Sequence, residues 1–241
     1  MNFVADLHTH TIISSHAYST LMENAKYASE IGLGILGVTD HGPKMPGAPD
    51  LWHFGNFKVL PRELFGVKML YGCEANIIDY EGNLDIPEEI QKGLDIMIVS
   101  MHEPIMKGGN SVDLNTVTIL KAMDNPNVNI LGHIGNPRFP IYEEAIIKKA
   151  KEKNILIEIN NSSLVSSRKG SDKNCNKIAQ LCKELGAQII VNSDAHFCYS
   201  IGNFSVAEKM LKEINMPEEL IINLNKERLM TFLKEKNKNI L

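Results

Sequence analysis

The sequence predicts an α/β protein in which repeated βα units close into a parallel barrel. Short β-branched apolar runs alternate with amphipathic stretches of helical period, which is typical of βα units. The chain has 241 residues, of which 44% are hydrophobic. That length suits one α/β barrel, and the composition allows one full core. No shift in composition marks a boundary, so residues 1–241 are expected to form a single domain.

Seven apolar runs of strand length follow one another along the chain. Helical stretches separate most of them, as repeated βα units require. The predicted strands are Phe3–Leu7, Gly34–Thr39, Val67–Cys73, Ile96–Ser100, Asn129–Leu131, Ile155–Ile159 and Gln188–Asn192.

The helices are indicated by their end signals. Thr20 and Glu23 have the spacing of a capping box, and Gly32 is a suitable stop for the helix that follows. The charged stretch Pro217–Lys238 is expected to add one or two terminal helices with a solvated face. The segment Pro43–Phe57 is the least regular and is predicted to be a functional lid or a binding loop. Further helices are predicted over Val112–Met123, Ile141–Lys153 and Asp172–Leu185.

Histidines mark the carboxyl ends of the predicted strands. Six candidate metal ligands each lie one or two residues beyond a strand, with successive spacings of 33, 33, 28, 31 and 61 residues. A period near 30 is one βα unit per step, and the last spacing is two units. In a parallel barrel these positions share one face, so they are expected to converge. The six are His8, His41, Glu74, His102, His133 and Asp194.

Three further histidines extend this set. His10 and His196 each lie two residues from another candidate, in the patterns His8-Thr9-His10 and Asp194-Ala195-His196, and in an extended chain such pairs point to one side. His16 follows in the first loop. Imidazole with carboxylate suits zinc, manganese or iron better than calcium or magnesium. A single histidine near a strand end is usually structural, but the register across several strands favours a polynuclear metal site.

Composition excludes several classes of function. The formal net charge is −4 and the isoelectric point is near 6.1, so no global basic field attracts long nucleic acid. No apolar run approaches the length of a membrane span, and the N-terminus lacks the regions of a signal peptide. Four cysteines without a C-x2-C pair fit a reducing compartment. We therefore expect a cytoplasmic enzyme.

The motifs around the candidate ligands resemble those of the PHP (polymerase and histidinol phosphatase) family. The resemblance covers nearly the whole chain, and the stretch 158–163, followed by 166–171, resembles the YcdX-type phosphatase branch. The motifs are Asp6-Leu7-His8-Thr9-His10-Thr11, Ser14-Ser15-His16-Ala17-Tyr18-Ser19, Thr39-Asp40-His41-Gly42-Pro43, Gly72-Cys73-Glu74-Ala75-Asn76, Ser100-Met101-His102-Glu103-Pro104, Gly132-His133-Ile134-Gly135-Asn136-Pro137 and Ser193-Asp194-Ala195-His196.

The resemblance implies a distorted TIM-like (β/α)7 barrel with three divalent metal ions, usually zinc, at the carboxyl ends of its strands. Manganese and iron are alternatives. Similar proteins form trimers, so a homo-oligomer is also implied. Carried over by position, the first metal ion is bound by His8, His10, Glu74 and Asp194, the second by His16, His41 and His196, and the third by Glu74, His102 and His133.

This resemblance implies phosphoester hydrolysis. Three dications against two carboxylates leave a positive pocket that attracts a phosphate dianion, and bound metal supplies hydroxide at neutral pH. We expect a hydroxide that bridges two metal ions to attack the phosphorus of a small phosphomonoester. The proton for the leaving group could come either from metal-bound water or from a nearby histidine, and the sequence leaves both alternatives open.

Four side chains are weaker candidates for supporting roles. His53, in the irregular loop, is predicted either to contact substrate phosphate or to cap the loop. Arg168 offers a planar fork for phosphate oxygens, and its alternative is a surface salt bridge. Asp40 is a candidate partner for a ligating histidine. Asn160 could donate to the substrate or stabilise a turn.

Three other functions use a similar ligand set. Phosphodiester cleavage by a nuclease of the same family would require basic, aromatic grooves, and this chain has one Trp and 6% aromatic residues. Metal-assisted amide hydrolysis or deamination is a second alternative. A non-catalytic metal-storage or sensing protein is the third, although structural zinc sites are usually closed shells of four ligands.

Overall fold

A computed structural model describes residues 1–236. Seven parallel strands form one sheet in the order β1-β2-β4-β5-β6-β7-β8, and a short strand, β3, pairs with β4 in antiparallel orientation. This is the predicted distorted TIM-like barrel of seven βα units. The strands are β1 Ala5–Asp6, β2 Ile35–Val38, β3 Glu63–Leu64, β4 Val67–Asn76, β5 Ile96–Ser100, β6 Ile130–Leu131, β7 Leu156–Asn160 and β8 Ile189–Asn192.

Most of the helices alternate with the strands along the chain, and their end signals agree with the sequence. The capping box predicted at Thr20 is present, since its hydroxyl accepts from the Glu23 backbone N–H and the Glu23 carboxylate accepts from the Thr20 backbone N–H. Gly32 follows that helix with φ +80°, as a helix stop requires. The helices are α1 Leu21–Glu30, α2 Leu51–Gly55, α3 Glu88–Gln91, α4 Val112–Ala122, α5 Glu143–Glu152, α6 Asn161–Val165, α7 Ser171–Leu185, α8 Ser205–Glu213 and α9 Lys226–Lys236.

Alternate residues of each strand face opposite sides of the barrel wall. One apolar cluster fills the barrel, with side chains such as Leu70, Ile98, Leu156 and Ile190, while their neighbours pack against the helices. Towards the carboxyl ends of the strands, the side chains that face the barrel interior become polar. These polar side chains are Glu74, Ser100, Glu158 and Asn192, all buried. The barrel therefore has an apolar floor and a polar upper layer.

The C-terminal region differs from its predicted form. Two 3-10 turns, Glu218–Leu220 and Ile222–Leu224, precede α9. α9 is not only a solvated helix, because Leu229, Phe232 and Leu233 are buried in the cluster that fills the barrel. The predicted helical range 217–238 ends outside the described residues. The single domain predicted over 1–241 also extends beyond them and stays a prediction.

Two other predictions, the end of one strand and the irregularity of one segment, differ from the structure. β4 continues three residues beyond Cys73, so Glu74 lies inside a strand rather than after one. Pairing of β4 with β5 extends to Asn76 opposite Ser100, which explains the longer strand. The segment Pro43–Phe57, expected to be irregular, contains α2, capped by Asp50. Within residues 1–236, no helix combines the length and apolarity that crossing a membrane requires.

The gap between the first and last barrel strands is closed at two levels. Near the carboxyl ends, Thr9 and Ala195 form a parallel bridge. Below it, the buried Asn223 side chain lies between β1 and β8. Its Nδ2 donates to Ala5 O (2.9 Å) and Val191 O (2.7 Å), and its Oδ1 accepts from Val191 N (3.2 Å). One side chain thus replaces part of a missing strand pairing.

We expect Asn223→Ala to lower the free energy of unfolding by about 2–4 kcal/mol, because it leaves buried backbone groups of both strands without partners. Urea denaturation followed by circular dichroism measures this change. Asn56→Ala is the matched control, since Asn56 is exposed and its side chain makes no capping hydrogen bond. Equal unfolding midpoints for Asn223→Ala and the control would contradict the proposed closure.

Candidate metal centre

The nine predicted ligands meet at the carboxyl ends of the barrel strands. Seven are buried, while His196 is partly exposed and His16 is exposed at the rim. Six different strands or strand ends supply them, as the register predicted. The nine are His8, His10, His16, His41, Glu74, His102, His133, Asp194 and His196.

Glu74 lies at the middle of the centre. Its Oε1 is 2.8 Å from His133 Nε2 and 3.2 Å from His102 Nε2. Its Oε2 is 2.7 Å from His41 Nδ1 and 3.3 Å from His8 Nε2. One carboxylate therefore faces imidazoles on both of its oxygens, as a bridging ligand would.

Asp194 forms the second carboxylate of the centre. Its Oδ1 is 3.2 Å from His10 Nε2 and 3.5 Å from His8 Nε2. Its Oδ2 accepts from Arg168 Nη1 (3.0 Å) and Asn160 Nδ2 (3.1 Å). One oxygen is thus directed to the histidines, and the other is held by the surrounding protein.

Three sets of donor atoms lie close enough to share an ion, each within 4.8 Å. These sets overlap the groups that the family resemblance implies but do not coincide with them, since His41 falls with Glu74 and His102 as well as with His196. His16 lies next to the set that contains His41, with its Nε2 3.2 Å from His41 Nε2. The sets are His8, His10 and Asp194; His41, Glu74 and His102; and His10, His41 and His196.

The extended geometry assumed for Asp194-Ala195-His196 was wrong in one respect. Asp194 has φ +56°, and His133 has φ +34°, so both lie in the left-handed region. Non-glycine residues are uncommon there, and such backbone strain clusters at functional sites. The turn at Asp194 keeps its own carboxylate at the centre, with His196 Nδ1 3.7 Å from Asp194 Oδ1.

Glu158 is a site residue that the sequence analysis did not single out. It is buried inside β7, and its Oε1 is 2.7 Å from His8 Nδ1. Its Oε2 accepts from the backbone N–H of His133 (2.8 Å). A carboxylate that holds the outer nitrogen of a ligating histidine orients the ring and raises its basicity. The available signal was an ionisable residue in an otherwise apolar strand.

Asp40 supports the histidines less directly than predicted. It accepts hydrogen bonds from Thr11 N (2.7 Å) and Ser14 Oγ (2.7 Å) rather than from a histidine ring that faces the centre. Ser14 Oγ in turn lies 3.5 Å from His10 Nδ1 and accepts from His41 N (3.1 Å). Asp40 thus fixes a hydroxyl between two candidate ligands.

His53 and Arg168, the two predicted catalytic side chains, lie in different surroundings. Arg168 lines a cavity of ≈ 590 Å³ beside the centre, and its Nη1 donates to Asp194 and to the hydroxyls of Ser163 and Ser167. His53 is on α2, with Nε2 3.8 Å from Asp40 Oδ2, and is not among the residues that line this cavity. The structure therefore brings Arg168 to the centre but sets His53 behind Asp40.

The donor set fits divalent metal ions. Five atoms that face the centre are buried without a hydrogen-bond partner: His8 Nε2, His10 Nε2, His41 Nδ1, His102 Nε2 and Glu74 Oε2. Unpaired buried polar atoms cost free energy and are rare in native proteins. Metal coordination would satisfy them, and imidazole with carboxylate is the donor chemistry of zinc, manganese and iron.

The electrostatics of the centre also favour cation binding. Burial opposes ionisation of Glu74, but nearby His102, His8 and His41 outweigh it and hold the pKa of Glu74 well below its usual value. Burial, together with Arg168, lowers the pKa of His133 to about 4. Burial and His41 likewise hold the pKa of His10 well below its usual value. Ionised carboxylate and neutral imidazole are the forms that ligate metal.

Fold and donor set together define a class, an α/β-barrel enzyme whose candidate active site is a cluster of metal-ligating side chains. A family model described as the PHP domain matches residues 6–162. The chain therefore belongs to the PHP family, as its motifs indicated.

Curated relatives extend over almost the whole chain. A probable phosphatase of Clostridium novyi (strain NT) is 59% identical over 238 residues, which are 99% of this chain and 97% of the relative. A probable phosphatase of Clostridium acetobutylicum is 52% identical with the same coverage. With the family, these relatives identify a hydrolase of the phosphoesterase class.

Solved structures share the fold at low sequence identity. Histidinol phosphate phosphatase from Lactococcus lactis, in complex with zinc, L-histidinol and phosphate, aligns with a TM-score of 0.61 and 18% identity, covering 88% of this chain and 94% of that one. A chain from archaeal ribonuclease P with mature tRNA aligns with a TM-score of 0.63 and 14% identity, covering 98% and 94%.

We expect chelation to lower the melting temperature by about 5–10 °C at pH 7.5, the shift produced by loss of an ion present at about 100 times its dissociation constant. Metal binding requires neutral imidazoles, so the metal-bound fold holds fewer protons than the unfolded chain. The stabilisation is therefore full above about pH 6.5 and is lost as the pH falls below it. Differential scanning calorimetry with and without EDTA between pH 5 and about 8 checks both statements. A difference that grows on acidification would contradict them.

Proposed function

We propose that this protein is a phosphatase that hydrolyses small phosphomonoesters at a centre of three divalent metal ions. Zinc is the first candidate, with manganese and iron as alternatives. The observation that carries the proposal is the convergence of nine histidine and carboxylate side chains with buried, unpartnered donor atoms. Three ions on nine side chains leave coordination positions for substrate and water, unlike a closed structural site.

The ion-pair distances support an assignment of ligands to the three positions. His8 and His10 both face Asp194, and Glu74 Oε2 lies 3.3 Å from His8 Nε2 and 3.6 Å from His10 Nε2. His102 and His133 both face Glu74 Oε1. The remaining position is formed by the rings of His16, His41 and His196, whose centroids lie within 5.9 Å of one another.

Bound divalent ions would lower the pKa of water to supply hydroxide near neutral pH and would neutralise phosphate charge. The chain contributes the geometry. Arg168 sits between Asp194 and the cavity, where its guanidinium would draw a phosphate oxygen towards the centre. Ser163 and Ser167 accept from the same nitrogen, so the side chain is held in place before substrate arrives.

The cavity supports a small substrate. Its volume, ≈ 590 Å³, is within the range of small-molecule sites. Among the described residues that line it, Arg168 is the one Arg or Lys side chain. A groove for a nucleic acid strand needs a track of basic groups along the backbone, so one phosphate is a better match than a chain of them.

His53 is proposed to act through Asp40 rather than on substrate. Its ring packs against Phe54 and Phe57, and its Nε2 faces the Asp40 carboxylate that holds Ser14. This placement favours a loop-stabilising role over direct contact with phosphate.

The four cysteines are all free and buried, which supports the proposed cytoplasmic location. A homo-oligomeric state remains a prediction from the family resemblance.

We expect the purified protein to hydrolyse p-nitrophenyl phosphate and His10→Ala to lower kcat/KM at least about 100-fold, because even partners outside the coordination shell change metal-site activity by about 10–100-fold. Metal content by mass spectrometry should fall in parallel. Asn56→Ala is the control, because Asn56 is not among the residues that line the cavity. Full turnover after EDTA treatment and exhaustive dialysis would refute a metal-dependent mechanism.

A parallel assay with bis-p-nitrophenyl phosphate separates the alternatives. A phosphomonoesterase prefers the monoester, whereas a higher kcat/KM for the diester would favour the nuclease-type function. Stoichiometric metal without turnover of either ester or of phosphorylated metabolites would favour a storage or sensing protein.

A further inference from the structure

A short excursion of the chain after β4 brings the carboxylate of Asp85 next to Asn76, whose side chain contacts the candidate ligand His102. The excursion spans residues 77–85, and an antiparallel bridge between Ile77 and Leu84 closes it. Asp85 then lies beside Asn76, with its backbone N–H donating to Asn76 O (3.2 Å). Asp85 is 8% exposed, so its charge is almost fully removed from water.

The Asp85 carboxylate is surrounded by N–H donors. Its Oδ1 accepts from Asn76 N (2.8 Å), and its Oδ2 accepts from Asn76 Nδ2 (2.5 Å) and Lys44 N (3.0 Å). The close approach depends on Gly42, because a Cβ there would lie 2.4 Å from Asp85 Oδ1. The carboxylate is thus fixed from three sides.

These contacts determine which way the Asn76 amide points. Its Nδ2 has two hydrogens and meets two acceptors, Asp85 Oδ2 and Gly42 O (3.2 Å). The reverse orientation would place the amide oxygen against a carboxylate and a carbonyl, which are both acceptors only. Asn76 Oδ1 must therefore face His102 Nδ1, 2.7 Å away.

An amide oxygen can only accept a hydrogen bond, so His102 Nδ1 must carry a proton. A neutral imidazole has one N–H, and its other nitrogen then presents a lone pair. That nitrogen, His102 Nε2, is buried, has no hydrogen-bond partner and lies 3.2 Å from Glu74 Oε1. The orientation of the amide thereby selects the ligating tautomer.

We propose that Asp85 is a positioning residue that fixes, through the Asn76 amide, the Nδ1–H tautomer of His102 and so leaves Nε2 free to bind metal. The proposal rests on the ligand role of His102 in the proposed function. Asp85 touches neither the histidine nor the substrate cavity, and it acts through one intervening side chain.

The tautomer can be measured directly by long-range ¹H–¹⁵N NMR of the full chain labelled with ¹⁵N-histidine, both loaded with zinc and after chelation. The spectra are recorded at about pH 8, where imidazole is neutral. The His102 signals are identified by their loss in His102→Gln. We expect the proton on Nδ1 in both samples of the wild type. A proton on Nε2 of the wild-type chain after chelation would overturn the proposal, so a folding defect of Asp85→Asn cannot leave it undecided.

Asp85→Asn provides the second arm. The substitution places an N–H₂ donor among N–H donors, so we expect mixed His102 tautomers and zinc affinity about 10–100-fold lower in chelator competition. Asp79→Asn is the matched control in the same excursion, where Asp79 caps an exposed turn through Glu81 N and Asn83 N. Wild-type tautomer and affinity in Asp85→Asn would refute the proposal. Neither measurement uses turnover, so failure of the phosphatase proposal would be seen separately.

Discussion

The buried carboxylate of Glu74 is the constraint on which the candidate site depends. Glu74 is fully buried at the inner wall of the barrel, and an ionised carboxylate there is very costly unless partners compensate it. The hydroxyl of Ser100 donates to Oε1, and imidazoles from the ends of β1, β2, β5 and β6 surround both oxygens. No single segment could supply these partners. Barrel closure, which brings the strand ends together, is therefore also what makes this carboxylate tolerable.

Much of this arrangement could be predicted from the sequence because it is periodic. One βα unit per step places His8, His41, His102 and His133 in register, and a parallel barrel has one face on which such residues meet. Alternate residues of a strand face the barrel interior, and this rule would also have identified Glu158, because it follows the inward-facing Leu156 by two residues in β7. A charged residue at an inward position of a buried strand requires a partner, and its partner is His8 Nδ1.

The other features of the site could not be predicted, because they depend on local turns that do not repeat with the βα units. The contact of Asp85 with Asn76 follows from a turn of nine residues and from the absence of a side chain at Gly42. The positive φ of Asp194 depends on how the chain leaves β8 while its side chain is held by Arg168 and Asn160. The apolar face of α9 was hidden by its many charges, because a helix that plugs one end of a barrel needs only three buried side chains there.

The outer partners decide whether protons or metal ions balance the negative charge of the centre. Burial opposes protonation of His8, yet Glu158, Glu74 and Asp194 outweigh it and raise the pKa of His8 well above its usual value. Burial instead lowers the pKa of His102, as it does for His10 and His133. Three of these four rings are therefore neutral at pH 7. A neutral ring does not compensate the negative charge of Glu74 or Asp194. Arg168 compensates part of the negative charge through its ion pair with Asp194, and divalent ions would balance the rest while also satisfying the unpartnered nitrogens.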